Sequence, residues 1–327
     1  MFFPSLMGMD LGTSSVRIST KNRGIILDEP SVVASYRNEG KVLAVGLKAL
    51  EMLGKTPDHI QAASPIRHGV IVNLPLAEAM LHYFLRRVSL LTYPRLIISV
   101  PANITNVARR AVREATLAAG ASKVYLIETP AAAALGAGID MAAPMGVMTV
   151  DIGSGITDMA VLSAGQIIIS DSVRTAGSQC NTAIQEMMRY KHKLLISSHL
   201  AEEIKINLGT AVLPKNVEEM EVKGSDVVNG FPRKQIITNQ EIHQALQEPL
   251  QGILDSIKRV LAQTTPALAG DLVSSGIVLT GGGALLNGID KYLQNQLQIP
   301  VKIADNPQQC VALGTLKADI ETLDSER

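Results

Sequence analysis

Short apolar runs that end in an aspartate and a glycine turn recur along the chain. Met148-Thr149-Val150 leads to Asp151, then to Gly153-Ser154-Gly155, Thr157 and Asp158, then to a second apolar run from Met159 to Leu162. This pattern predicts strand, tight turn, strand. The start of the chain repeats it: Met7-Gly8-Met9, Asp10-Leu11-Gly12-Thr13-Ser14-Ser15, then Val16-Arg17-Ile18. A third apolar strand, Ile277-Val278-Leu279-Thr280, runs into Gly281-Gly282-Gly283-Ala284-Leu285. Between these lie helical periods. Leu76, Met80, Phe84 and Val88 recur at i+4, widened by Leu81 and Leu85, and predict a helix over 73–88. A second is predicted over 105–119, with Val107, Ala111, Val112 and Ala115 on one face and Gly120 as its stop. Further helices are expected over 239–263 and near 311–323, and strands at 24–27, 124–127 and 166–170.

Two copies of one hairpin, each opening a half of the chain, suggest two related half-domains that face each other. Glycines in such a turn let backbone N–H groups approach a phosphate, and an Asp at the strand end suits a hydrated Mg²⁺. Together the two turns would grip a nucleoside triphosphate and its metal from both sides. The three consecutive glycines would lie flat against a planar ring or a phosphate. Glu202 and Lys205 share a helix face at i, i+3, as a ribose grip or as an ordinary exposed ion pair. The strand that ends in Glu128-Thr129-Pro130 points at the same cleft.

Composition narrows the class. With 327 residues, 46% hydrophobic and 18% charged, the chain has room for two cored domains. Its 30 basic and 30 acidic residues cancel, which gives no support for a nucleic-acid surface. Two cysteines, Cys180 and Cys310, without a CxxC, read as buried free thiols. No apolar run reaches membrane-spanning length. Peripheral contact is another matter: Phe2 and Phe3 precede the first strand without a core to join, and Leu90-Leu91 occupy a predicted loop.

The three glycine turns, in this order, resemble the actin superfamily. DEPSVVA from Asp28, ARRAVREA from Ala108, YLIETPAAAALGAG from Tyr125, AEEIK from Ala201, VLTGGGALL from Val278 and CVALGT from Cys310 resemble the MreB family of bacterial actin homologues across essentially the whole chain. The resemblance implies an α/β actin-like ATPase fold: two lobes of duplicated RNase H-like domains, at 1–143 and 144–327, with small inserted subdomains near 33–66 and 186–240. It implies ATP or ADP with Mg²⁺ in the cleft. By position, Asp10 and Asp151 would serve the metal through water. Gly12, Thr13, Ser14, Ser15, Gly153, Ser154, Gly155, Ile156 and Thr157 would serve the phosphates. Glu202, Glu203, Ile204 and Lys205 would serve the ribose, and Gly281, Gly282, Gly283, Ala284 and Leu285 the nucleoside. It further implies paired protofilaments of the chain itself, MreB paralogues and the cell-wall elongation machinery as partners, and a cytoplasmic place on the inner membrane face, reached through Phe2, Phe3, Leu90 and Leu91.

The chain also departs from that pattern. The family's Glu-Glu-Pro is Glu128-Thr129-Pro130, so the position assigned to activating the attacking water holds Thr129. A hydroxyl is no general base near neutral pH, and losing such a base costs roughly 10²–10⁴ in rate. Glu128 is a weak substitute, because strand neighbours point to opposite faces. Further changes are Ser15, Gly153-Ser154-Gly155-Ile156-Thr157 and Ala176-Gly177-Ser178, all near the expected γ-phosphate. A divergent paralogue that binds nucleotide and hydrolyses it weakly is the expectation. A non-hydrolysing paralogue that co-assembles with or regulates an active MreB is the first alternative; a small-molecule kinase of the same superfamily ranks below it, because it needs an Asp base beyond the two metal-type aspartates.

Overall fold

The computed structural model describes residues 5–37, 40–89 and 93–325. Phe2, Phe3, Leu90 and Leu91 therefore lie outside the described residues. Each predicted hairpin seeds a five-stranded sheet. In the first, Leu6–Leu11 pairs antiparallel with Ser15–Thr20, which pairs with Gly24–Pro30. On its other side Leu6–Leu11 runs parallel to Arg95–Val100, and that strand runs parallel to Lys123–Glu128. The second sheet repeats this order and these directions. Val147–Ile152 pairs with Thr157–Ser163 and that with Gln166–Val173, while Ile277–Thr280 and Val301–Ile303 continue parallel on the far side. Strands covered on both faces read as continuous apolar runs. Val147–Ile152 is accordingly buried along its length, whereas the outer Gln166–Val173 is half-exposed.

The helices follow from their apolar stripes. Leu74–Val88 is capped by Asn73, whose side chain accepts from the Leu76 N–H, and it buries Leu76, Met80, Leu81, Phe84 and Leu85. Each such side chain contributes roughly 1.5–3 kcal/mol on burial. Asn106–Ala118 buries Val112, Ala115 and Thr116. Val107 does not join that face and is 81% exposed. It lies five residues before Val112, about 140° around a helix that turns 100° per residue. The single helix expected near 311–323 is two helices, Cys310–Thr315 and Ile320–Ser325. Asp319 starts the second by accepting from the Glu321 N–H at 3.1 Å and the Thr322 hydroxyl at 3.0 Å, as an N-cap does.

The lobes brace each other. Helix Thr129–Gly136 follows the last strand of the first sheet and packs on Val147–Ile152 of the second. Helix Cys310–Thr315 follows the last strand of the second sheet and packs on Leu6–Leu11 of the first. The two helices also cross in contact. A Cβ on Gly136 would sit 1.8 Å from the Cys310 carbonyl oxygen, and one on Gly314 would sit 1.8 Å from that of Ala132. Each lobe has its own large core, one around Met80, Phe84 and Leu96, the other around Leu246, Ile253 and Ile257. Two smaller three-stranded sheets are inserted. One is built from Val33–Tyr36, Val42–Val45 and Ile60–Ala63, the other from Leu194–Leu195, Glu219–Asp226 and Pro232–Thr238. Cys180 and Cys310 are buried free thiols. Among the described residues no helix is long and apolar enough to cross a membrane.

Candidate functional site: a cleft between twin hairpins

The two hairpin turns are closed alike. The Gly12 N–H donates to the Ser15 carbonyl at 3.1 Å, and the Gly153 N–H to that of Ile156 at 3.0 Å. Glycine is needed for close approach: a Cβ would lie 2.8 Å from the Ser15 oxygen at Gly12 and 2.9 Å from the Ile156 oxygen at Gly153. Each turn is pinned from its own lobe. Ser31 Oγ donates to the Gly12 carbonyl at 2.7 Å, and Ser64 Oγ to that of Thr13 at 3.1 Å. The Gly177 and Ser178 N–H groups donate to the carbonyls of Gly153 and Ser154 at 3.0 and 2.7 Å. The turns also meet across the cleft. His68 Nδ1 lies 2.7 Å from the Gly155 carbonyl oxygen, and a Cβ on Gly155 would come within 2.5 Å of Thr13 Oγ1.

Beneath the turns sit three carboxylates. Asp10 accepts from Ser99 Oγ at 3.3 Å, and Asp151 from Thr280 Oγ1 at 2.7 Å; both donors stand on the neighbouring parallel strand. Asp158, not singled out from the sequence, accepts from the Ala102 N–H at 3.2 Å and from the Ser172 hydroxyl, and so ties the second lobe to the loop after Arg95–Val100. Burial pushes Asp10 up to about 6, against the pull of Arg17. Burial, with the charge of Asp10 added, pushes Asp151 up to about 7. Burial pushes Asp158 up to about 6, against its Ser172 and Ala102 hydrogen bonds. Asp151 and Asp158 are 8% and 1% exposed, while Asp10 keeps 19% of its side chain open. Carboxylates held above their ordinary range by lost hydration are short of positive charge.

These groups line one cleft of about 790 Å³ with Thr129, Glu202, Lys205, Gly281, Gly282, Gly283 and Leu285. Glu202 and Lys205 pair at 2.8 Å on its wall, and Lys205 Nζ also donates to the Gly177 carbonyl at 3.3 Å. Other expected contacts do not line it. Thr157 spends its hydroxyl on the Thr175 carbonyl at 2.7 Å. Ile204 and Ala284 are fully buried in the core of the second lobe. Glu203 faces outward beside His199 at 3.5 Å. The triple glycine lines the cleft and also packs on the strand behind it. A Cβ on Gly281 would fall 2.5 Å from the Ile152 carbonyl oxygen, and one on Gly283 would fall 2.2 Å from Ile152 Cγ2. Two of the three glycines thus serve packing on the strand behind, and Gly282 keeps the more open position.

Thr129 is 8% exposed, opens the bracing helix and donates its hydroxyl to the Val100 carbonyl at 3.0 Å. Glu128 does not line the cleft; it pairs with Arg109 at 2.9 Å. No carboxylate stands where the family resemblance expects a base.

The residues present fit a phosphate-rich ligand with a divalent cation. Glycine turns approach from both lobes, and charge-poor carboxylates lie between them. Among the described residues no three His, Cys, Asp or Glu converge tightly enough to hold a metal alone. A Mg²⁺ here would draw the rest of its shell from phosphate and water, as that ion prefers.

A duplicated sheet of this order with a nucleotide-sized cleft between its copies defines an actin-like fold. Residues 4–326 match the family model described as MreB/Mbl protein. The chain is 46% identical to cell shape-determining protein Mbl of Bacillus cereus, over 94% of each chain. It is 42% identical to cell shape-determining protein MreB of Escherichia coli, over 98% of this chain and 95% of that one. Among solved structures it is similar to MreB5 of Spiroplasma citri bound to ADP, at TM-score 0.93 and 32% identity, over 99% and 98% of the two chains. A MamK double helical filament, at TM-score 0.81 and 18% identity over 97% and 99%, shares the fold. The chain belongs to the MreB/Mbl family.

Proposed function

We propose that this chain binds ATP or ADP with Mg²⁺ in the cleft and polymerises into membrane-associated filaments that direct cell-wall synthesis and rod shape. The observation that carries the reading is the pair of glycine turns meeting over Asp10 and Asp151. The ADP named with the MreB5 structure and the AMPPNP named with a second MreB5 structure support a nucleotide there. The names of the relatives support a part in cell shape. When bound, the metal would neutralise phosphate charge. The chain's own part is to hold the phosphates between two turns, to seat the ribose against Glu202 and Lys205 and to orient Asp10 and Asp151 through Ser99 and Thr280.

Hydrolysis is slow on this reading, because Thr129 has no basic group and its proton is already committed to Val100. The chain then either assembles alone or co-assembles with an active paralogue. Thr129→Glu is expected to raise phosphate release by roughly 10²-fold or more; no gain in a folded variant contradicts the account of hydrolysis. Phe2, Phe3, Leu90 and Leu91 are the proposed lipid contacts, individually weak and multiplied along a filament. Negative-stain microscopy of the full chain on a lipid monolayer with ATP and Mg²⁺ tests the whole reading. Paired straight filaments are expected. Dispersed monomers, alone and with an active paralogue added, would overturn it.

A further inference from the structure

The position that faces the strand-end aspartate differs between the lobes. In the second it is Asp158, which is absorbed by the lobe junction. In the first it is Arg17. Arg17 lines the cleft with only 14% of its side chain exposed; its Nη1 lies 3.8 Å from Asp10 Oδ2 and its Nε 3.0 Å from Asp28 Oδ2. Asp28 is 48% exposed, and ion pairs so open to water add little to stability. Asp28 instead fixes one edge of the guanidinium, which leaves its charge directed at Asp10.

Resting on the nucleotide reading above, we propose that Arg17 is a built-in positive charge of the nucleotide site, so that this chain holds a nucleoside diphosphate with little dependence on divalent metal. A fixed guanidinium beside the metal-facing carboxylate attracts phosphate and repels Mg²⁺. Nucleotide and metal therefore assist each other less than they would without it, and the coupling is reciprocal. Arg17 acts by positioning Asp10 and by its field; it is not assigned to a bond-making step.

The test is equilibrium binding of a fluorescent ADP to the full chain, in excess EDTA and in saturating Mg²⁺. The wild-type chain should bind in both. Arg17→Leu should weaken binding in EDTA about tenfold or more, within the roughly 5–150-fold span of ordinary coupling, with a much smaller change in Mg²⁺. Mg²⁺ titrated onto the ADP complex should then act at lower concentration in Arg17→Leu than in wild type. Arg17→Lys keeps the charge and loses the planar fork, and it should fall between the two. Equal weakening of Arg17→Leu in both conditions would assign Arg17 a structural role and overturn the inference, as would no change in either. A wild-type chain that binds ADP in neither condition overturns the nucleotide reading itself. Urea denaturation of each variant separates these outcomes from unfolding.

Discussion

The two lobes share one plan and differ in how each central strand is completed. Two residues before the strand-end aspartate, the first lobe has Gly8 and the second has Thr149. Gly8 leaves room for helix Cys310–Thr315: a Cβ there would lie 2.0 Å from Thr315 Oγ1. Thr149 instead donates its hydroxyl to the Pro130 carbonyl at 3.1 Å, on the equivalent helix from the other lobe. Across the hairpin, Arg17 in one lobe answers to Asp158 in the other. Duplication has kept the backbone and divided the chemistry. At the position across from the aspartate, the first lobe sets a charge in the cleft and the second sets a hydrogen-bonded tie to the other lobe.

Exchanging residues between the lobes should break this division. The largest effect is expected for Asp158→Arg, which places a guanidinium at a site that is 1% exposed and where the Ala102 N–H and Ser172 hydroxyl need an acceptor. A loss of about 3–5 kcal/mol is expected, read from urea midpoints at constant m. Asp158→Asn keeps an acceptor and should cost far less. Next comes Gly8→Thr, which imports the second lobe's residue into a space already filled by Thr315. Overpacking of this kind costs about 1–3 kcal/mol, and the thermal midpoint should fall accordingly.

The smallest effect is the dependence on pH. Asp10, Asp151 and Asp158 have folded values near 6, 7 and 6, above the ordinary 3.8. Raised carboxylates bind more protons folded than unfolded, so stability falls as pH rises through that window. The nucleotide-free chain should therefore melt higher at pH 6 than at pH 8, and Asp158→Asn should flatten the slope. Saturating ADP and Mg²⁺ should also flatten it, because a cation among the carboxylates replaces the protons.

Much of this was legible in the sequence. The hairpins, the helix over 239–263 and the helix behind Asn73 follow from apolar periodicity, because both sheets and their covering helices have plainly one-sided or fully buried patterns. Asp10, Asp151 and Thr129 line the cleft as strand-end residues should; Glu202 and Lys205 line it too, where spacing alone leaves an exposed ion pair open and the family resemblance places them. Apolar periodicity gives Arg17 and Asp158 no role, although each lies seven residues past its aspartate as the lone charge in its strand. Their partnership depends on hairpin register, which spacing alone does not fix. His68 escaped for a different reason: its contact with Gly155 spans the cleft between lobes that are remote in sequence. The packing role of Gly281 and Gly283 was hidden because Ile152, the residue they lie against, is more than a hundred positions away.

On the proposed function, one nucleotide is gripped by both lobes at once. Calorimetric titration of ATP with Mg²⁺ into the wild-type chain and into Gly12→Val and Gly153→Val tests it most directly. One site per chain is expected in wild type, and either substitution alone should abolish it, since each spoils one turn and leaves the other whole. A wild-type chain that binds no ATP, or a folded variant of either kind that binds as wild type does, would contradict the account.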